Sequence, residues 1–437
     1  MTNSPPQPRA AKTMITWADT TTVWAKIGLL SFGGPAAQIA LMHRLIVAEN
    51  RWLNERQFLN GLSFCMLLPG PEAMQLATYT GWRLHGVIGG LIAGLLFVLP
   101  GAVIMLGLGL IYVSFGTLGL IGSIFMGIKA AIVIIVLQAL IRLANKTLAS
   151  PMQWGISALG FAGIFILDLP FPLIIGLAAL HGFINAYPPH APDSKTHDPA
   201  LPPVRQTLKT MLIWLGLWWG PLVAIDLFSG APLLAAIGYF FSKLAIVTFG
   251  GAYAVLAYMA QDVVTHLGWL TAGEMMDGLG LAETTPGPLI LVTEFVGFVA
   301  AFKAAGLWHG IAGAMVALWA TFTPCFLWIF VGAPYLEWLT SQARLRGALH
   351  SIMAAVVGVI ANLFVWFTLQ VLFAETAYHQ MGPVSLLLPD LASLNWRIVG
   401  LAIIGGWMAF IRGLGLAWIL GTAAAGGILI HLLADQL

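Results

Sequence analysis

Two tripeptides in this chain combine residue types that bind anions when they lie inside a membrane, and each occurs twice. Phe32-Gly33-Gly34 returns as Phe249-Gly250-Gly251, and Pro69-Gly70-Pro71 returns as Pro286-Gly287-Pro288. Proline lacks a backbone donor and stops a helix, while glycine lets the chain turn without steric cost. A helix that restarts after such a break presents free N–H groups and the positive end of its dipole, which suits an anion. A single break of this kind reads as a kink that eases tight packing. Four in matching places favour a binding role, with the backbone N–H groups of Gly33, Gly34, Gly70, Gly250, Gly251 and Gly287 as the expected contacts.

Around these breaks stand side chains that could add charge. Lys26 and Lys243 occupy matching positions in apolar runs, VWAKIGLL and FSKLAIV. A lysine at bilayer depth costs ~3 kcal/mol, so it is a functional candidate, with snorkelling to a headgroup as the alternative. Two such cations would suit a dianion. Ser31 and Thr248 place a hydroxyl beside each FGG, although such hydroxyls are often satisfied by their own helix. Gln75 is a further polar candidate on the helix after the first PGP. Glu72, Glu283 and Glu294 would repel an anion when ionised, so their expected role is to take protons when the site is loaded. For Glu72, an acid in the first turn of a helix is also simply stabilising.

The elements that must carry these residues arise from an internal duplication. Lys26 and Lys243, Phe32 and Phe249, Trp52 and Trp269, and Pro69 and Pro286 are each 217 residues apart. A second block lies 224 residues apart, pairing Pro100 with Pro324 and Ile128 with Ile352. The chain is 59% hydrophobic and 8% charged, against roughly 25% charged in soluble domains. Apolar runs such as 87–113 are too long for barrel strands, so the expected fold is an all-α integral membrane protein. The polar residues 1–16 read as a cytoplasmic tail, and no cleaved signal peptide is expected. Residues 17–187 form a first repeat, 188–206 a polar Pro-rich linker, 207–230 a linking helix, and 231–437 a second repeat.

Basic residues in short loops favour the cytoplasm. Arg44, Arg51 and Arg56 crowd one loop of the first repeat, whereas the matching loop 261–273 has no Lys or Arg. Loop 114–123 is uncharged and its counterpart holds Arg344 and Arg346, while Arg142 and Lys146 are matched by nothing basic across 366–380. Three matched loops reverse sign, as inverted-topology repeats would. If the loops around residues 44–56 and 83 share one side, FGG and PGP sit in re-entrant or broken helices, with ordinary full crossings as the alternative. Half-helices of 12–13 residues reach ~18–20 Å, the middle of a ~30 Å core. Crossings are then expected at 88–113, 123–141, 152–168, 171–187, 208–228, 308–332, 349–372, 397–412 and 414–433. Arg397 does not fit this scheme.

Several classes are disfavoured. Cys65 and Cys325 stand alone, without the spacing of a metal or redox site, and the histidines show no metal-ligand pattern. No P-loop and no basic aromatic patch for nucleic acid occur, and no cofactor is expected. An enzyme would need an acid/base pair on one face, and the carboxylates here are scattered.

The stretches KIGLLSFGGP and RWLNERQFLNGLSFCMLLPGPEAMQLATYTGW, with the weaker second FGG/PGP set, resemble the chromate ion transporter family in its long two-domain form. The resemblance implies a multi-pass carrier of the bacterial cytoplasmic (inner) membrane. It would export chromate, a tetrahedral dianion resembling sulfate, at the expense of the proton-motive force and so confer chromate resistance. A sulfate or other oxyanion carrier, a passive channel and a membrane enzyme are the alternatives. The expected partners are that oxyanion and the lipid bilayer, with a homodimer as one open arrangement. The second copy departs from the first, with Ala252 for Pro35, Leu289 for Glu72 and Val255 for Gln38, so the half-sites are unequal.

Overall fold

The structure is a computed structural model that describes residues 15–116, 119–186, 203–249, 252–381 and 384–434. The 1–16 tail and the 188–206 linker lie almost wholly outside the described residues, as do Gly250 and Gly251. Among the described residues the chain is almost entirely helical, with one two-stranded hairpin, β1 (Thr376–Met381) and β2 (Val384–Pro389). Six helices among the described residues are long and apolar enough to cross a membrane.

Helices end where the break motifs stand. In the first half α1 (Trp17–Leu30) stops before Phe32-Gly33, and α2 (Gly34–His43) restarts and runs into a π-helical turn, Arg44–Glu49. After a loop, α3 (Glu55–Leu67) stops at the first PGP and α4 (Glu72–Phe115) begins. In the second half α9 (Pro232–Val247), α10 (Ala252–Gln261) with the π turn Asp262–His266, α11 (Ala272–Thr284) and α12 (Val292–Ala305) repeat the order. Local chemistry repeats too. Asn54 with Gln57, and Thr271 with Glu274, form capping boxes at matching starts of α3 and α11, satisfying orphan N–H groups.

α4 is not one rod. Its backbone leaves helical geometry at His85 and Gly86, and the glycine takes φ 65°. A β-carbon on Gly81 would run into the Gly89 carbonyl, and one on Gly89 into that of Gly81. Residues eight apart in a straight helix lie ~12 Å apart, so the arm 72–84 folds back on the arm 87–115. α12 and α13 (Leu307–Gly332) form the matching hairpin, with Gly297 against the Gly313 carbonyl and the reverse. Lys303, near the end of α12, reaches Glu274 at the start of α11 at 2.9 Å. The two ends of the α11–α12 pair therefore meet on one side. On the first PGP pair, Gly61 of α3 packs against the Tyr79 ring.

The two halves interlock. The Gly70 N–H donates to the Thr248 carbonyl and the Gly287 N–H to the Ser31 carbonyl, both at 2.9 Å. Each PGP break thus docks on the residue before the other half's FGG. The long arm of α4 and its counterpart α13 lie side by side, with Gly90 under Phe330 and Gly94 under Phe326, the register of antiparallel neighbours.

The outer helices are exchanged as well. α6 (Pro151–Phe165) and α7 (Phe171–Ile184) pack on α15 (Ala343–Leu372), where Gly358 abuts the Ser157 carbonyl and Gly182 the Gly347 carbonyl. α16 (Trp396–Gly406), with a π turn over Trp407–Ile411, and α17 (Leu416–Ala434) pack on α5 (Gly119–Thr147). There Gly127 meets the Ala423 carbonyl and Gly427 that of Ser123. These hairpins form a third repeated block: Pro151 and Trp396, Phe171 and Leu416, Gly182 and Gly427 are each 245 residues apart. α8 (Val204–Phe228) links the halves, and α14 (Leu336–Ser341) is a short connection. One continuous apolar core runs through both halves.

Candidate functional site

An open-mouthed cavity of about 760 Å³ lies where the first FGG break, α5 and the turn before α17 meet. At ~30 Å³ per water it has room for an anion together with a hydration shell. Gly33, Gly34, Pro35 and Ala36 line it, so the N-terminal end of α2 faces the space. Gly33 at φ 85° and Gly34 at φ 78° hold a left-handed conformation that few other residues adopt cheaply, which is what turns this helix end inward.

The cations of the cavity are Arg142 and Lys146, near the end of α5. With Gln138 they form a polar stripe at four-residue spacing, one face of a helix. Arg142 Nη2 donates to Gln138 Oε1 at 3.2 Å, which orients the guanidinium. Two carboxyls share the space, Glu72 from the start of α4 and Glu283 from the end of α11. The Tyr253 hydroxyl, also on the wall, donates to Glu283 Oε1 at 2.8 Å. The field of Lys146 reaches Glu72, and that of Arg142 reaches both Glu283 and Tyr253.

With both carboxyls ionised, the four charged groups cancel. With both protonated, two cations and a helix N-terminus remain, matched in charge to a dianion. The arrangement can therefore bind protons together with an anion, since each occupant alters the field at the other's site.

Several expected contacts are not formed. Lys26 lies on an exposed face of α1, beside the exposed Leu29 and Leu30, and does not line the cavity. Lys243 faces a different cavity, its Nζ 5.4 Å above the Tyr258 ring. The paired-lysine site is thus not assembled, because the two helices present these positions to different surroundings. The N–H groups of Gly70 and Gly287 are taken by the cross-repeat bonds and are not free for an anion. The Ser31 hydroxyl donates to Ile27 and that of Thr248 to Leu244, each at 2.6 Å within its own helix. Gln75 is buried and donates to the Pro69 carbonyl at 2.6 Å, bracing the break from within. Glu294 is buried in the first turn of α12 and is not among the residues of the cavity wall. Gly250 and Gly251 lie outside the described residues.

Asymmetry is built into the site. Gln38 donates to the Gly287 carbonyl at 2.6 Å and to that of Ser31 at 3.3 Å, a double bridge that Val255 cannot make in the other half. The sequence reading missed Arg142, Lys146, Gln138 and Tyr253. The Gln138-Arg142-Lys146 stripe was the available signal, but two basic residues near a segment end read first as loop charge.

No metal-binding group of His, Cys, Asp or Glu occurs among the described residues. No solved structure matches this chain. The family model for the chromate transporter matches residues 18–183 and 235–428. A protein of Synechococcus elongatus described as a probable chromate transport protein is 31% identical over 352 residues, covering 79% of this chain and 83% of its own length. The chromate transport protein of Cupriavidus metallidurans is 30% identical over 386 residues, covering 87% of this chain and 90% of its own. An uncharacterized transporter of Methanocaldococcus jannaschii is 28% identical over 349 residues. Two matched regions that between them take in both sets of break motifs, on a chain with six membrane-capable helices, place this multi-pass membrane protein in the chromate transporter family.

Proposed function

We propose that this chain is a secondary active transporter of the cytoplasmic membrane that exports chromate, drawing on the proton-motive force, and that its two halves are inverted repeats. The observation that carries this reading is the convergence of Arg142, Lys146, the N-terminal end of α2 and two carboxyls on one cavity. Chromate, carried by relatives at about the same length, has the charge and tetrahedral donor demand that this set meets. Inversion is supported by the antiparallel register of the α4 arm and α13 and by the reversed loop charges. The basic loops favour a cytoplasmic cavity mouth, the side from which an exporter would load.

In the empty site Glu72 and Glu283 neutralise Lys146 and Arg142. When the dianion enters, it takes over both cations, and the carboxyls are the groups that can bind protons. The voltage is the useful part of the driving force. Two negative charges leaving a negative interior gain ~4.6 kcal/mol per 100 mV, at ~2.3 kcal/mol per charge. Each proton that leaves with the anion cancels half of that gain, so the carboxyls set the coupling.

The test is labelled-chromate flux in proteoliposomes with voltage and pH gradients imposed separately. Saturable flux driven by voltage alone is expected, and sulfate at equal concentration should compete weakly. Flux that does not saturate, or that neither gradient alters, would refute a coupled carrier.

A further inference from the structure

A second cavity, of about 180 Å³, lies in the other half of the molecule. It is lined by Lys243, Tyr258, Asn362 and the turn between α6 and α7. Two of its walls are the pseudo-symmetric counterparts of walls of the larger cavity. Val359 and Asn362 of α15 stand 224 residues after Ile135 and Gln138, which line the large one. The turn 164–171 stands 245 residues before the turn 409–416, which borders the large cavity at its mouth. Two equivalent frames thus enclose very different volumes.

The difference lies in what crosses each mouth. At the small cavity Gln261 Nε2, at the end of α10, donates to Asp168 Oδ1 in the α6–α7 turn at 3.0 Å. Asp168 takes φ 48° and its counterpart Gly413 φ 62°, so both turns leave their helix through a left-handed residue. Leu387 of β2 is buried over the same region, facing a small void shared with Asp168, Gln261 and Asn362. At the large cavity no such bond can form between the corresponding side chains, because the counterpart of Asp168 is Gly413, while Arg44, the counterpart of Gln261, pairs with Glu49 at 3.5 Å.

Resting on the carrier reading above, we infer that the cavity at Lys243 is the outer vestibule of the same oxyanion path, narrowed here around the buried Asn362, with Lys243 as its cation and the Asp168–Gln261 bond as its latch. Lys243 is suited to this because, among the described residues, an aromatic face rather than a carboxylate holds its ammonium. Lys243 is itself exposed, so an anion can meet its charge before the α6–α7 turn swings away and lets it pass to the buried Asn362. The two carboxylates on this wall are otherwise engaged, Asp262 with His266 at 2.9 Å and Asp168 in the latch. Opening one vestibule while closing its twin is what a rocking pair of repeats would do.

The experiment places Asp168→Cys and Gln261→Cys in a chain carrying Cys65→Ser and Cys325→Ser, and joins the pair with a short reducible bifunctional thiol reagent. Cross-linked protein should bind chromate with unchanged affinity at the large cavity while flux stops, and reductant should restore flux. Cross-linked protein that transports at the rate of the unlinked protein would overturn the latch. A second measurement does not depend on cargo. In sealed vesicles, Gln138→Cys should react with an impermeant maleimide from the cytoplasmic face, and Asn362→Cys from the opposite face. Asp168→Ala should raise the Asn362→Cys rate about fivefold, the scale of one lost hydrogen bond of ~1 kcal/mol. Labelling of both from one face, or no change with Asp168→Ala, would sink the second vestibule. Loss of chromate binding with this labelling pattern intact would instead count against the choice of cargo.

Discussion

The substitution Lys146→Gln separates the observed cavity from the one expected at Lys26. In the structure Lys146 lines the large cavity and its field reaches Glu72, while Lys26 points away from it among exposed leucines. A charge-assisted contact to an anion contributes ~1.5–3 kcal/mol, so losing the Lys146 contact should weaken chromate binding about 10–150-fold. Arg142→Gln should cost a similar amount, and Arg142→Lys less than that, since one point charge survives while the planar fork is lost. Lys26→Gln removes an exposed charge, worth ~0–1 kcal/mol at most, and should change affinity less than about fivefold. Equilibrium dialysis of labelled chromate against purified protein in lipid nanodiscs reads all four constants, and a thermal melt of each variant controls for folding. The reasoning fails if Lys26→Gln weakens binding as much as Lys146→Gln, or if Lys146→Gln binds like the parent.

Gly70→Ala and Gly287→Ala should each destabilise the protein by ~1–3 kcal/mol through the left-handed backbone alone, at φ 118° and 93°, lowering the melting temperature. Gly107→Ala, where a β-carbon meets nothing within 4 Å, is the control expected to change the melt little. Lys129 of α5 and Asp277 of α11 form a 3.1 Å pair, largely buried on the Asp277 side, and Tyr112 donates to the same carboxylate at 3.0 Å. Lys129→Met should cost ~3–5 kcal/mol by leaving that carboxylate unpaired, and adding Asp277→Asn should recover most of it. The matching positions carry Met353 and Asn60, so the double variant copies the neutral solution already used by the other half. Finally, Asn50→Cys and Leu267→Cys should react with impermeant thiol reagents from opposite faces of the membrane. Reaction from one face would remove the inverted arrangement.

Much of the architecture was legible because its signals are local. Gly-Pro breaks at bilayer depth, low charge and reversed loop charges each follow from the cost of polar groups in lipid. The two repeated blocks at FGG/PGP and at Pro100/Pro324 kept those signals. The third block, α6–α7 against α16–α17, kept only small residues at packing points, and such residues carry little pattern of their own. The candidate site was less legible. Lys26 and Lys243 look alike in sequence and both are exposed, yet one stands among exposed leucines and the other lines a small cavity. The glycines of PGP looked like free donors, yet their N–H groups close the contact between halves.

From composition and motif alone came the helical membrane fold, the duplication, the sites of the breaks and the family resemblance, because each depends on what lipid forbids to a short stretch of chain. Which cations, carboxyls and helix ends share one space was decided only by the tertiary structure. Convergence depends on the facing of helices far apart in sequence, here α2, α4, α5 and α11. A charge near a segment end reads the same whether it turns to solvent or into a cavity, and only the packed neighbours distinguish the two.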